Sequence, residues 1–144
     1  MSRFWIFVAD PTRYHWDTLF VKGKELWNGI RQQASQRYLK QVHKGDRVVC
    51  YHGPPDRSVY ALATAASDPY PHRDERLNRF LVVDLKAVER LPRVVPLKEM
   101  KANRVLRRMR LVARLPQRLA VAPVTEHEFN EILRLAGLPP LPFH

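Results

Sequence analysis

Cysteine is nearly absent. Cys50 is the single one among 144 residues, which excludes an intrachain disulfide, a cysteine-ligated zinc site and a CxxC redox pair. Such sparing use suits a reducing compartment, and the chain is expected to be cytoplasmic. Glycine is scarce as well. Gly23, Gly29, Gly45, Gly53 and Gly137 stand far apart, so neither GxGxxG nor GxxxxGK(S/T) can be written, which argues against dinucleotide and P-loop sites of the usual kind. No apolar run reaches the length of a membrane span, and the opening stretch MSRFWIFVAD meets an acid too soon for a secretory signal. The histidines His15, His43, His52, His72, His127 and His144 form no HxH or HExxH pattern, so no metal ligand set is indicated. Acids are few too. A metal-dependent nuclease needs convergent carboxylates, and Asp74-Glu75 is an isolated pair. No catalytic residue, metal or cofactor is assigned.

What is abundant is positive charge. Lys and Arg number 25 against 14 Asp and Glu, a formal +11, with a pI near 10.4. At this length one compact domain is expected, and a domain so basic most often meets a polyanion: DNA, RNA or, less often, an acidic membrane surface. The densest stretch is 101–118, with Lys101, Arg104, Arg107, Arg108, Arg110, Arg114 and Arg118 and no acid. Such a run suits phosphate contacts, each releasing counterions. Its plain alternative is a solvated basic face.

The pattern of apolar residues gives a mixed α and β reading. Residues 4–9, aromatic and β-branched, predict a buried strand stopped by Asp10-Pro11. One or two helical turns are expected over 16–21 and an amphipathic helix over 33–42. Lys44-Gly45-Asp46 reads as a tight turn into a strand at 47–52, and Gly53-Pro54-Pro55-Asp56 leads to a second strand over 58–66, together a hairpin. A third long strand is expected over 79–88, ended by Pro92 and Pro96, then a short helix over 97–103 and a last strand over 118–124. Thr125-Glu126-His127-Glu128 is a capping box and Gly137 a C-cap, bracketing a final helix. The tally, an α+β fold of five or so mostly antiparallel strands with helices at the rim, points to a small barrel-like sheet.

Trp27-Asn28-Gly29-Ile30-Arg31-Gln32 is the most unusual segment. A π-face, an amide and a guanidinium are what a protein uses to hold an unstacked base. The alternative is a core tryptophan beside a simple turn. Cys50 and His52, two apart on a strand, share a face, but a lone cysteine in an apolar run reads as a buried small hydrophobe rather than a nucleophile. Tyr70, between Pro69 and Pro71, either lines a pocket or packs over a hairpin end.

Taken together these segments resemble an EVE domain, of the PUA-like superfamily. Residues 4–11 resemble the opening W-L-x-K-S-E-P strand, residues 27–32 the W-(D/N)-G-V-R-N hallmark, and Ala34 its following Q-A pair. Lys44-Gly45-Asp46 with Tyr51-His52 resembles K-x-G-D…F-Y-H-S, Tyr70-Pro71 the A-Y-P loop, and Val83-Asp84 the V-D strand. Pro96-Leu97 resembles the P-L before a short helix, and residues 118–125 the R-L-S-(I/V)-x-P-(L/V)-T segment. The resemblance implies a PUA-like curved β-barrel of five to six strands with flanking helices over 1–137, a Pro-rich tail over 138–144, and a pocket for a modified nucleobase. Departures are Val8-Ala9-Asp10 for Lys-Ser-Glu, Gln32 for Asn and Gly53 for Ser.

The expected function is therefore a non-enzymatic nucleic-acid-binding module, for DNA or RNA. Trp27 stacks on or shapes the pocket, while Asn28, Gly29, Arg31 and Gln32 surround it. Asp10 reads an exocyclic amine, and Tyr51, His52 and Tyr70 are candidate walls. Arg104, Arg107, Arg108, Arg110 and Arg118 hold phosphates. The alternatives are an enzyme of RNA or DNA processing, such as a nuclease, and a protein-interaction module with a basic face.

Overall fold

The computed structural model describes residues 3–109, 112 and 119–141. Its frame is a seven-stranded mixed sheet, with strands β1 (Phe4–Ala9), β2 (Lys24–Trp27), β3 (Arg47–His52), β4 (Ser58–Ala65), β5 (Tyr70–Pro71), β6 (Leu81–Pro96) and β7 (Val121–Val124). The order is β2-β6-β4-β3-β1-β7, with β5 pairing on β6. Among the described strands only β1 and β3 pair in parallel, from Phe4 opposite Arg47 to Ala9 opposite His52. Four α-helices flank the sheet among the described residues: α1 (Asp17–Lys22), α2 (Gln33–Leu39), α3 (Leu97–Ala102) and α4 (Glu126–Ala136). The hydrogen-bonded path is open from β2 to β7 and the sheet has seven strands, against the expected curved barrel of five to six.

Alternation along β1 explains why there are two cores. Phe4 and Ile6 face one side with Phe129, Ile132 and Leu133 of α4 and Met100 of α3. Trp5, Phe7 and Ala9 face the other, with Leu19 of α1 and Leu39 of α2. A period of two thus sends successive side chains into different layers. Buried Asp46 ties the layers' edge: its carboxylate accepts from Trp5 Nε1 at 2.9 Å and from the His43 amide at 2.9 Å. Gly45, at φ +94°, makes the turn that presents it.

The expected end of the third strand at Pro92 is not observed; β6 runs on to Pro96. Val59 pairs with Val95 and Ala61 with Arg90, so 91–94 bulge opposite Tyr60. A proline within a bulge owes no ladder hydrogen bond, so the strand survives it. Helix α4 is capped as its sequence requires. Thr125 Oγ1 accepts from the Glu128 amide at 3.0 Å, the Glu128 carboxylate accepts from the Thr125 amide at 2.9 Å, and Gly137 adopts φ +87°. Beyond α4, Leu138 and Leu141 pack on the Ile6 side of the core, and the Leu141 amide donates to Asn130 Oδ1 at 3.0 Å. No helix among the described residues is long and apolar enough to cross a membrane.

Candidate nucleobase cavity

The end of β1 and the end of β2 open onto one cavity of about 530 Å³. It is lined by Val8, Ala9, Asp10, Arg13, Tyr14, Glu25 and the segment 26–30, closed by Ala120. Of the residues expected at the pocket, it brings together Asp10, Trp27, Asn28 and Gly29.

Trp27 is neither a free platform nor a plain core residue. Its ring stacks on Trp16 with centroids 4.6 Å apart and planes 8° from parallel, and Tyr14 meets it edge-on at 5.0 Å and 87°. One face of the indole is thus taken by Trp16, Phe7 approaches the ring at 6.5 Å and 63°, and the half-buried remainder borders the cavity. Trp16, fully buried, is fixed in turn by β3: its amide donates to His52 Nε2 at 3.0 Å, and its Nε1 donates to the Tyr51 carbonyl at 3.0 Å. His52 therefore supports the cavity from behind rather than forming its wall.

Asp10 Oδ1 accepts from the Thr12 amide at 2.9 Å and from its hydroxyl at 2.7 Å, bonds that hold the carboxyl below its usual range. Among the described residues Oδ2 has no protein partner. The same is true of the exposed Asn28 side-chain amide. A Cβ added to Gly29 would meet no protein atom within 4 Å, and its φ is not left-handed. Nothing among the described residues demands glycine there.

The loop's shape comes from two residues that do not line the cavity. The Arg31 guanidinium donates to the Asn28 and Ile30 carbonyls. Gln36, from α2, donates to the Ile30 carbonyl at 2.8 Å and bridges to Leu81, donating to its carbonyl at 3.1 Å and accepting from its amide at 2.9 Å. Gln32 sits at the N-terminus of α2, its side-chain Oε1 accepting from Ser35 Oγ at 2.6 Å; that same Oγ accepts from the Ala120 amide at 2.8 Å.

Sequence reasoning missed Arg13, Tyr14, Glu25 and Gln36. Tyr14 Oη donates to Glu25 at 3.3 Å, and burial together with the Glu25 charge pushes that phenol up. Lys22 Nζ donates to the same carboxylate oxygen at 3.1 Å.

Other expected residues lie elsewhere. Tyr51 is buried on the Ile6 side of the sheet. Tyr70 donates to Asp84 at 2.8 Å beside β6, away from the cavity lining. Arg104, Arg107 and Arg108 are exposed, but Val105, Leu106 and Met109 between them pack with the Ile6 layer, on the side of the sheet opposite Phe7. Arg110 and Arg118 fall outside the described residues. Cys50 is fully buried and desolvation pushes its thiol well up, so it is not a nucleophile in this fold.

His15, His52 and Asp56 place one potential ligand atom each within 4.8 Å of one another. Because His52 Nε2 accepts the Trp16 amide, its proton sits on Nδ1, 3.8 Å from the Asp56 carboxylate. A cation bound at Nδ1 would require that proton's removal from a neutral imidazole, so the trio reads as a polar support.

Residues 3–135 match the EVE domain family. Mouse thymocyte nuclear protein 1 is 24% identical over 97% of this chain and 76% of its own length. The crystal structure of Atu2648 from Agrobacterium tumefaciens superposes with a TM-score of 0.87 at 31% identity, covering 98% of this chain and 99% of that one. The human THYN1 protein in complex with 5-methylcytosine containing DNA superposes with a TM-score of 0.83 at 22% identity, covering 95% and 99%. With the match running through nearly all of the described residues, the chain belongs to the EVE domain family.

Proposed function

We propose that the chain binds nucleic acid and takes one base, a modified cytosine above all, into the cavity between Asp10 and Trp27. The observation that carries this reading is a convergence. Two groups without hydrogen-bond partners among the described residues, Asp10 Oδ2 and the Asn28 amide, border a cavity that also holds the half-buried Trp27 indole. A base offers what these lack: a π-face for Trp27, and an exocyclic amine as donor to an ionised carboxylate. Gly29 fits the same picture, since its missing side chain leaves room that no protein atom fills. The human relative of the same fold that holds 5-methylcytosine DNA supports it. Relative to the family's Lys-Ser-Glu, Asp10 is one methylene shorter than Glu, which favours a base seated closer to the end of β1.

The test is a titration of labelled oligonucleotides identical except for one central base: 5-methylcytosine, cytosine or thymine. The wild type is expected to prefer the amine-bearing bases. Asp10→Asn should shrink the preference over thymine by about tenfold, the scale of one good base-edge contact. Equal binding of all three bases by the wild type would overturn the reading.

A further inference from the structure

Resting on that reading, we infer that Arg31 and Arg79 on the Phe80 ring, with Arg73 on the Tyr70 ring in the same connection, form the site that grips the phosphodiester backbone next to the bound base. The guanidinium carbons of Arg31 and Arg79 lie 4.9 and 4.5 Å from the centroid of the same Phe80 ring. Arg73 lies 5.7 Å from the Tyr70 ring centroid, and the His72 amide donates to the Phe80 carbonyl at 2.9 Å, which brings residue 73 alongside 79 and 80. All three arginines are exposed.

Their charge is unmatched. Among the described residues none of the three has a carboxylate within ion-pair distance. Of the neighbouring acids, Asp74 is engaged by Arg76 at 3.0 Å and Asp84 by Tyr70, and exposed Glu75 forms no ion pair with any of the three. Two like charges over one ring repel, and the aromatic face offsets only part of that. An anion between the guanidinium groups reverses the sign. Arg31 spends one guanidinium nitrogen on the Asn28 and Ile30 carbonyls and Arg73 bonds Tyr70, yet each exposed guanidinium keeps further N–H groups that suit phosphate oxygens.

Their position gives the partner. Arg31 donates to the carbonyls of Asn28 and Ile30, which line the cavity, and Gln36 ties Ile30 to Leu81, next to Phe80. The cluster therefore flanks the loop edge of the cavity. A base seated against Trp27 carries its own phosphates, and this edge adds exposed cations to Arg13 of the lining. The sequence run around Arg104, Arg107 and Arg108 is denser in charge but belongs to the opposite layer.

The experiment compares the double variant Arg73→Gln/Arg79→Gln with Arg104→Gln/Arg107→Gln/Arg108→Gln. It measures binding of a single-stranded oligonucleotide carrying one 5-methylcytosine across a salt series. Arg31 is kept, because it shapes the loop. Loss of two phosphate contacts should reduce the magnitude of the slope of log affinity against log salt by about 1.4, with the preference for modified over unmodified cytosine unchanged. Arg73→Lys/Arg79→Lys should restore most of the slope, and the far-face triple should leave it near wild type. An unchanged slope in the 73/79 glutamine variant overturns the inference, while retained base preference leaves the cavity reading standing. A wild type that binds without preference, yet loses slope in that variant, overturns the cavity reading alone. A wild type that binds no strand overturns both.

Discussion

Trp27→Ala separates the two duties that the structure gives one side chain. The indole is half-buried, stacked on Trp16 and met edge-on by Tyr14. Truncating a fully buried tryptophan costs about 3–5 kcal/mol, and an aromatic pair is worth about 0.5–1.5 kcal/mol beyond its buried area. For a half-exposed ring the expected cost is about 2–3 kcal/mol. The protein should stay folded, melting roughly 6–12 °C lower for a domain of this size. Binding adds a second effect, since losing a base-stacking face removes about 1–3 kcal/mol, or roughly 5- to 150-fold in affinity. The two are read separately, by a thermal melt and by an oligonucleotide titration well below both melting points. Trp27→Phe should recover much of the stability and part of the affinity, because a smaller ring still covers Trp16. Undiminished affinity in a folded Trp27→Ala protein would refute stacking on this ring. An unshifted melt would refute the Trp16 contact as a support.

Gly29→Ala should leave the melt within about 0.5 kcal/mol of wild type, because the added methyl meets no protein atom; the same variant should weaken oligonucleotide binding, and normal binding would mean the base stays clear of residue 29. His52 is held below its ordinary value of 6.5, first by burial and then by His15, while Asp56 and Asp17 pull the other way. The unfolded chain thus takes up the proton first. Stability is complete above about pH 6.5 and falls as pH drops below it toward the depressed folded value, so His52→Gln, which can still accept the Trp16 amide, should flatten the melting temperature between pH 5 and 7. Glu131 is held down to about 2 by Arg134 and by Asn103, which donates at 2.6 Å. Its contribution, about 1 kcal/mol for so exposed a partner as Arg134, is present above pH 4.5 and lost as pH falls toward 2, so Glu131→Gln should lower the neutral-pH melt and remove that acid limb.

Much of this fold is legible in the sequence wherever the signal is local. The α4 cap needs only Thr125, Glu128 and Gly137, three residues whose bonds close within one helix. β1 and β3 are legible because both are nearly continuous apolar runs, buried on both faces. β2 was not legible. Lys24-Glu25-Leu26-Trp27 is an edge strand with two polar residues and only half-buried alternate positions, a pattern shared with many loops. The cavity divides the same way. Trp27, Asn28 and Gly29 stand out because they are adjacent, while Tyr14 and Glu25 join them only after β2 pairs with β6 and Tyr14 swings onto the Trp27 edge. Tyr51 was expected at the pocket, but strand alternation sends it to the other layer from Cys50.

Charge shows the limit of linear reading most sharply. In sequence the residues 101–118 dominate, with seven cations and no acid. In space Leu106 and Met109 anchor part of that run beneath α4, on the Ile6 side, so proximity along the chain confers no proximity to Trp27. Arg31 lies between β2 and α2 and Arg73 and Arg79 between β5 and β6, so they draw no attention as a pattern, yet pairing of β5 with β6 and the Gln36 bridge bring the two connections together. Phosphate affinity depends on how many cations reach one strand together. A backbone passing the cavity would meet Arg13 in its lining and, on the inference above, the trio beside it, because pairing of β2 with β6 brings the loops at 28–32 and 72–80 to one end of the sheet.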